Sequence, residues 1–129
     1  MKDKLNVGII GTGFMGRAHT NAWLDAPFYF DLPFQVVRKV ACDAVGDKVQ
    51  SFAEKFGWME TATSWEAVVR RDDIQVIDIC SSNLTHMPIA IEAARNGKHV
   101  ICEKPIARDG GRKNAGRCPA DQCYSYGGF

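Results

Sequence analysis

No stretch of this chain comes near the roughly 20 consecutive apolar residues that a membrane-spanning helix needs. The opening Met1-Lys2-Asp3-Lys4 leads into an apolar run too short for a signal peptide, and Asn6 and Gly8 interrupt it. An excess of charge is missing too. The 16 basic and 15 acidic residues are well mixed and leave a net charge of +1, which argues against a dedicated nucleic-acid or membrane surface. Five cysteines are an odd number without framework spacing, so no disulfide scaffold is expected. Cys42, Cys80 and Cys102 each end an apolar run, where a reduced cysteine acts as a small hydrophobe. His19, His86 and His99 are not spaced as a metal site, and no metal is expected. His19 reads as half-buried helix packing, and His99 as the start of a strand. Neither a repeat nor a low-complexity tract precedes residue 107. A reducing, cytoplasmic setting is the expectation.

What is present is an alternation of strand and helix patterns in 129 residues, 46% of them apolar. That is enough to bury one domain's core. The alternation predicts an α/β fold, a doubly wound parallel sheet with helices on both faces. Strands are predicted at Leu5–Ile10, Gln35–Cys42, Gln75–Cys80 and His99–Cys102. Helices are predicted over Phe14–Asp25, stopping before Pro27, over Asp47–Phe56 with Gly57 just beyond, from a Ser64 cap to Arg70, and over Pro88–Asn96. The first helix is expected to turn Met15, Ala18, Ala22 and Leu24 to the sheet. The aromatic segment Pro27 to Pro33 is expected to pack on something.

The first strand runs straight into Gly11-Thr12-Gly13-Phe14-Met15-Gly16. Gly11 permits a tight turn, Gly13 lets a pyrophosphate approach the backbone, and Gly16 lets the next helix pack on the sheet. That helix points free N–H groups and its positive dipole end at the phosphates. The alternative is a purely structural glycine turn. Asp43, ending the second strand, is the candidate ribose acceptor. Ala44-Val45 rather than Arg or Lys follow it, which favours NAD and leaves NADP open. A strand-ending turn aspartate is the plain alternative. Ser81, Asn83 and His86 follow the third of these strands, at its carboxyl end, where open parallel sheets bind ligands. Capping of the next helix by Asn83 or Thr85 is compatible with that reading.

Glu103-Lys104-Pro105 directly after a buried strand completes the pattern. With the glycine turn, Asp43, the Asn83 to His86 segment and Gly97-Lys98-His99-Val100, it resembles the Gfo/Idh/MocA family of NAD(P)-dependent oxidoreductases over residues 5–107. Ser81-Ser82-Asn83 departs from the family's usual Thr-Pro-Asn. The resemblance implies an N-terminal Rossmann domain, residues 1–107, that transfers hydride between a nicotinamide cofactor and a sugar or polyol carbon. It makes Phe14 and Met15 cofactor neighbours along with Gly11, Gly13 and Gly16. It makes Lys104 the catalytic residue near the nicotinamide, with Glu103 orienting it and Pro105 fixing the backbone. Without the resemblance, Glu103 and Lys104 would read as a solvated pair. A sugar-like substrate and the oligomer interface would need the family's second domain, which is expected to be absent from these residues.

The likeness stops near Ala107, and residues 108–129 are rich in breakers. The fold is therefore expected to be incomplete at its C-terminal end, without its last helix and strand and with an exposed sheet edge. A frameshift is the expected cause. Read one base forward, codons for Lys113 through Cys118 permit Lys-Met-Leu-Ala-Ala-Ala, and those for Cys123 through Gly128 permit Val-Ile-His-Met-Val-Gly. A functional tail using Cys118 and Cys123 as a metal or redox site is poorly supported by two cysteines alone. The rival to an oxidoreductase is a non-catalytic nucleotide-binding module or an inactive truncated product. The source DNA tests the frame: a helix followed by an apolar strand is the expected shifted reading, and codons that allow neither exclude it.

Overall fold

A computed structural model describes residues 2–105 and the backbone of residues 123–126. The elements follow in the order β1 (Asp3–Ile10), α1 (Phe14–Tyr29), β2 (Phe34–Cys42), α2 (Gly46–Phe56), β3 (Glu60–Ala62), α3 (Trp65–Val69), β4 (Val76–Ile79), a 3-10 turn (Asn83–Thr85), α4 (His86–Arg95), β5 (His99–Glu103) and β6 (Cys123–Tyr126). The six strands form one sheet in the order β3-β2-β1-β4-β5-β6, every neighbouring pair parallel. This is the doubly wound order, with its reversal between β1 and β4. The carboxyl ends of β1, β2, β4 and β5 lie along one rim of the sheet, so Gly11, Asp43, Ser81 and Lys104 all emerge there.

Each sheet face carries its own core. Ile77, Ile79 and Val100 pack with Val68, Val69 and Ile89 from α3 and α4 on one side. Val7, Ile9 and Val76 pack with Val49, Phe52 and Trp58 on the other. Central strands buried on both faces read as unbroken apolar runs, and each such side chain is worth roughly 1.5–3 kcal/mol of burial. At the α2 terminus Gly57 adopts φ +74°, a left-handed cap that its missing Cβ allows. Ser64 caps α3 by accepting from the Ala67 N–H.

Four expectations are corrected. Helix α1 continues through Pro27 to Tyr29; a proline this close to the end removes only one late hydrogen bond, and the Phe30 N–H still closes on the Ala26 carbonyl at 3.0 Å. Its buried face is Gly16, His19 and Thr20, with Trp23 against the core, and not Met15, Ala18, Ala22 and Leu24. The Thr20 hydroxyl donates to the Gly16 carbonyl at 2.7 Å and accepts from Trp58 Nε1 at 3.2 Å, so satisfied polar groups rather than apolar ones chose the face. The aromatic segment is not packed: Phe28 and Tyr29 are 89% and 78% exposed, because they ride the outer side of the last turn of α1.

The fourth correction concerns the sheet edge. Cys123–Tyr126 pairs with Val100–Glu103 in parallel register, so a strand covers β5 where a bare edge and an irregular tail were expected. Four extended residues satisfy a parallel ladder with backbone groups alone, whatever breakers precede them. The rest of the tail, residues 106–122 and 127–129, lies outside the described residues.

Truncating the fully buried Ile77 to Ala is expected to destabilise the domain by about 2–5 kcal/mol. Leu84→Ala, at a site 66% exposed, is expected to stay within about 0.5 kcal/mol. Urea unfolding followed by circular dichroism measures both, and equal losses would contradict this core.

Candidate functional site

The site is built on a backbone too crowded for side chains. Gly11 sits at φ +102° and its N–H donates to the Cys42 carbonyl at 2.8 Å. A Cβ there would meet the Cys80 carbonyl carbon and oxygen at 2.5 Å. A Cβ on Gly16 would collide with the Gly11 carbonyl oxygen. Gly13 differs, because a Cβ on it would meet nothing within 4 Å; its face is open. It is also the N-cap of α1, with no side-chain cap bond and no acidic residue in the first turn. The first-turn N–H groups therefore keep their donor capacity, and the positive end of the helix stays uncompensated.

Above this turn lies a cleft of about 500 Å³. Of the predicted residues it is lined by Gly11, Gly13, Phe14, Met15, Asp43 and Ser81. Thr12 and Lys48, not singled out from the sequence, line it too. Thr12 donates to Asp43 Oδ2 from its hydroxyl at 2.6 Å and from its N–H at 3.2 Å. The Val45 N–H donates to Oδ1 at 3.1 Å, and Lys48 Nζ stands 3.4 Å from Oδ2. Burial works against the charge on Asp43, but these hydrogen bonds and the Lys48 ammonium outweigh it and hold the carboxyl below its usual range. The donor set fits an adenine dinucleotide: free amides for a diphosphate, and an ionised carboxylate a strand away for a ribose.

The other predicted residues stand apart from the cleft lining. Gly16 is consumed by packing beneath Gly11. Asn83 is exposed on the 3-10 turn. His86 is 1% exposed, its Nδ1 facing the Pro105 carbonyl at 2.7 Å and its Nε2 the Ser81 carbonyl at 2.9 Å. Backbone acceptors occupy both ring nitrogens, which leaves His86 as a tie between two strand exits. The Glu103 side chain is buried and turned under the sheet rim, while Lys104 is exposed at the end of β5.

Sequence reasoning missed Asp78, in the middle of β4 and 1% exposed. Trp23 Nε1 donates to its Oδ2 at 2.9 Å, and His19 Nδ1 stands 2.7 Å from its Oδ1. The other His19 nitrogen, Nε2, is 3.5 Å from Glu103 Oε2. Burial disfavours the imidazolium, yet Asp78 and Glu103 together raise His19 above its ordinary pKa. Cys80 Sγ lies 3.5 Å from Asp78 Oδ1. The 2.7 Å spacing of His19 and Asp78 is that of a hydrogen bond; two ligands of a tetrahedral zinc stand roughly 3.3 Å apart. The signal for this cluster was the charge interrupting Val76-Ile77-Asp78-Ile79. Burial pushes the Cys42 and Cys102 thiols up to about 12, so both pack as neutral groups.

Comparison with known proteins agrees with this fold. The model of the oxidoreductase family with an NAD-binding Rossmann fold matches residues 5–113. Levoglucosan dehydrogenase of Pseudarthrobacter phenanthrenivorans is 44% identical over 112 residues, 86% of this chain and 29% of its own length. An inositol 2-dehydrogenase of Rubrobacter xylanophilus is 32% identical over 105 residues, 81% of this chain and 28% of its own. A levoglucosan dehydrogenase solved in complex with NADH superposes with a TM-score of 0.80 at 44% identity, over 82% of this chain and 29% of that one. The chain thus spans less than a third of the length of these relatives. Matched in motif, topology and family model over most of its residues, it belongs to the Gfo/Idh/MocA family of oxidoreductases and has their NAD-binding Rossmann fold.

Proposed function

We propose that this chain is the NAD-binding part of an oxidoreductase that moves hydride between nicotinamide and a sugar or polyol carbon. The observation that carries this reading is the open Gly13 face above an uncapped, dipole-bearing helix start, beside an ionised Asp43. Levoglucosan and inositol dehydrogenases among its relatives support the substrate class, and the NADH complex of one supports the cofactor.

In this reading Gly11, Gly13, Phe14, Met15 and Gly16 form the diphosphate turn, Asp43 takes the ribose, and Ser81 and Asn83 flank the nicotinamide side. His86 and Glu103 shape that side from beneath. The negative charge on Asp43 favours NAD, because a 2′-phosphate beside it would be repelled. The nicotinamide dinucleotide that these residues would hold would supply the hydride acceptor or donor. The chain's own contribution is Lys104, whose ammonium stabilises developing alkoxide on the reacting oxygen and helps the proton leave. Its exposure at the carboxyl end of β5 supports that role. A sugar-like substrate would be held jointly with further residues of a full-length form, which would also supply the oligomer interface. The reading also takes the protein as cytoplasmic and without membrane or nucleic-acid partners, on the strength of its mixed charges and net charge of +1; among the described residues no helix is long and apolar enough to cross a membrane.

Gly13→Val is expected to cost at most about 1 kcal/mol of stability, since a side chain there meets no neighbour and only the N-cap of α1 is weakened, and to weaken NAD⁺ binding by at least about tenfold, ~1.4 kcal/mol. Calorimetric titration of wild type and variant checks this, and unimpaired binding would sink the diphosphate assignment. The sign of the Asp43 shift sets a pH window. A carboxyl held below its ordinary value of about 3.9 stays ionised at pH 5, so NAD⁺ affinity is expected to be the same at pH 5 and pH 7. It should fall only as pH drops through the folded value. Asp43→Asn should cost about tenfold at both pH values.

A further inference from the structure

Lys104 carries the proposed chemistry, yet its own side chain is exposed. Its two chain neighbours are not free in the same way. On one side Glu103 is 8% exposed and sends its Oε2 to within 3.5 Å of His19 Nε2. His19 is anchored in turn by Asp78 at 2.7 Å, and Asp78 by the Trp23 indole at 2.9 Å. On the other side the Pro105 carbonyl meets His86 Nδ1 at 2.7 Å, and His86 Nε2 reaches the Ser81 carbonyl at 2.9 Å. The two histidines come from α1 and α4, and these helices pack on opposite faces of the sheet.

A lysine side chain has many rotamers on a flexible four-carbon stem, so its mean direction depends on how firmly its backbone is aimed. Misplacing a reacting group by about 1 Å can cost roughly a hundredfold in rate. Fixing residues 103 and 105 fixes the Cα–Cβ vector of residue 104 between them. A solvated Glu-Lys pair would need neither anchor. Burying the glutamate carboxylate at the sheet rim also costs free energy that only a partner such as His19 offsets.

We infer that His19 and His86 form a two-sided brace that sets the aim of Lys104, one acting through the Glu103 carboxylate and the other through the Pro105 carbonyl. Both are positioning residues. Their importance to turnover rests on the proposed role of Lys104; the brace itself is a property of the fold.

Reductive methylation of the 129-residue chain with ¹³C-formaldehyde gives each lysine a dimethylamine NMR signal, and loss of one signal in Lys104→Arg assigns Lys104. His19→Ala and His86→Ala are each expected to shift or broaden the Lys104 signal while those of Lys48 and of Lys39, a β2 residue paired with Glu60 at 3.1 Å, stay in place. His19→Gln and His86→Gln, which keep one donor, should return it towards wild type. An unmoved Lys104 signal in folded variants overturns the brace, and so does an equal movement of all lysines, which marks general loosening. If the alanine variants unfold, the glutamine variants and Glu103→Gln decide by the same signal. Adding NAD⁺ separates the two ideas. A wild-type chain that ignores NAD⁺ refutes the dinucleotide reading, whereas the brace is judged on the unliganded spectra.

Discussion

The closeness with which α1 can approach the exits of β1 and β4 governs the rest of this molecule. Gly11 turns under the backbone of Cys80 and Ser81 at a distance no Cβ tolerates, and Gly16 presses on the Gly11 carbonyl. These two contacts seat the helix start directly over the strand ends. Its first-turn amides therefore point into the same space that Asp43 borders from β2 and Ser81 borders from β4. A wider turn would still fold as α/β, but it would hold the positive helix end away from the rim. Proximity here is a matter of missing atoms, and the electrostatics follow from it.

Polar groups buried under that rim form the second layer of the design. Asp78 occupies a strand position that every apolar neighbour would suit, and its charge is tolerated because Trp23, His19 and Cys80 surround it. Such a group is costly alone and specific when paired. The cluster ties α1, which carries the glycine turn, to β4 and to Glu103 at the end of β5. Two parts of the proposed chemistry, diphosphate binding and proton handling, therefore share one buried connection. His86 adds a tie from the other face of the sheet. Lys48 contributes differently, as an exposed cation that helps keep Asp43 ionised at the mouth of the cleft.

Much of the fold was legible because its signals are local. The four principal strands are apolar runs, α2 ends at Gly57 and α3 begins at the Ser64 cap, so existence and type could be read, with bounds good to a residue or two everywhere except at the end of α1, which runs on through Pro27 to Tyr29. Strand β3 escaped because three residues, Glu60 to Ala62, cannot display a period. The strand at Cys123–Tyr126 escaped because the breakers around it dominate the tail's composition. The inward face of α1 was misjudged by counting apolar residues: His19 and Thr20 turn inward since their partners, Asp78 and Trp58, wait there. Of the candidate site, the glycines, which border the cleft except for Gly16, were legible from motif spacing, and Asp43, which also borders it, from its place at the end of the second strand. Thr12, Lys48 and Asp78 were not, as nothing near them in the chain announces their partners.

The order of apolar runs and the spacing of Gly11, Gly13 and Gly16 were enough, without coordinates, to specify a parallel α/β sheet with a tight glycine turn between its first strand and helix. Those features act within a few residues, where sterics and hydrophobic periodicity suffice. Only the tertiary structure decided what the polar side chains do. His19 and Asp78 lie 59 positions apart, and Asp43 and Thr12 lie 31 apart. Whether a charge is a cost, an anchor or a binding group depends on the atoms that desolvate and pair it, and the folded chain alone brings those atoms together.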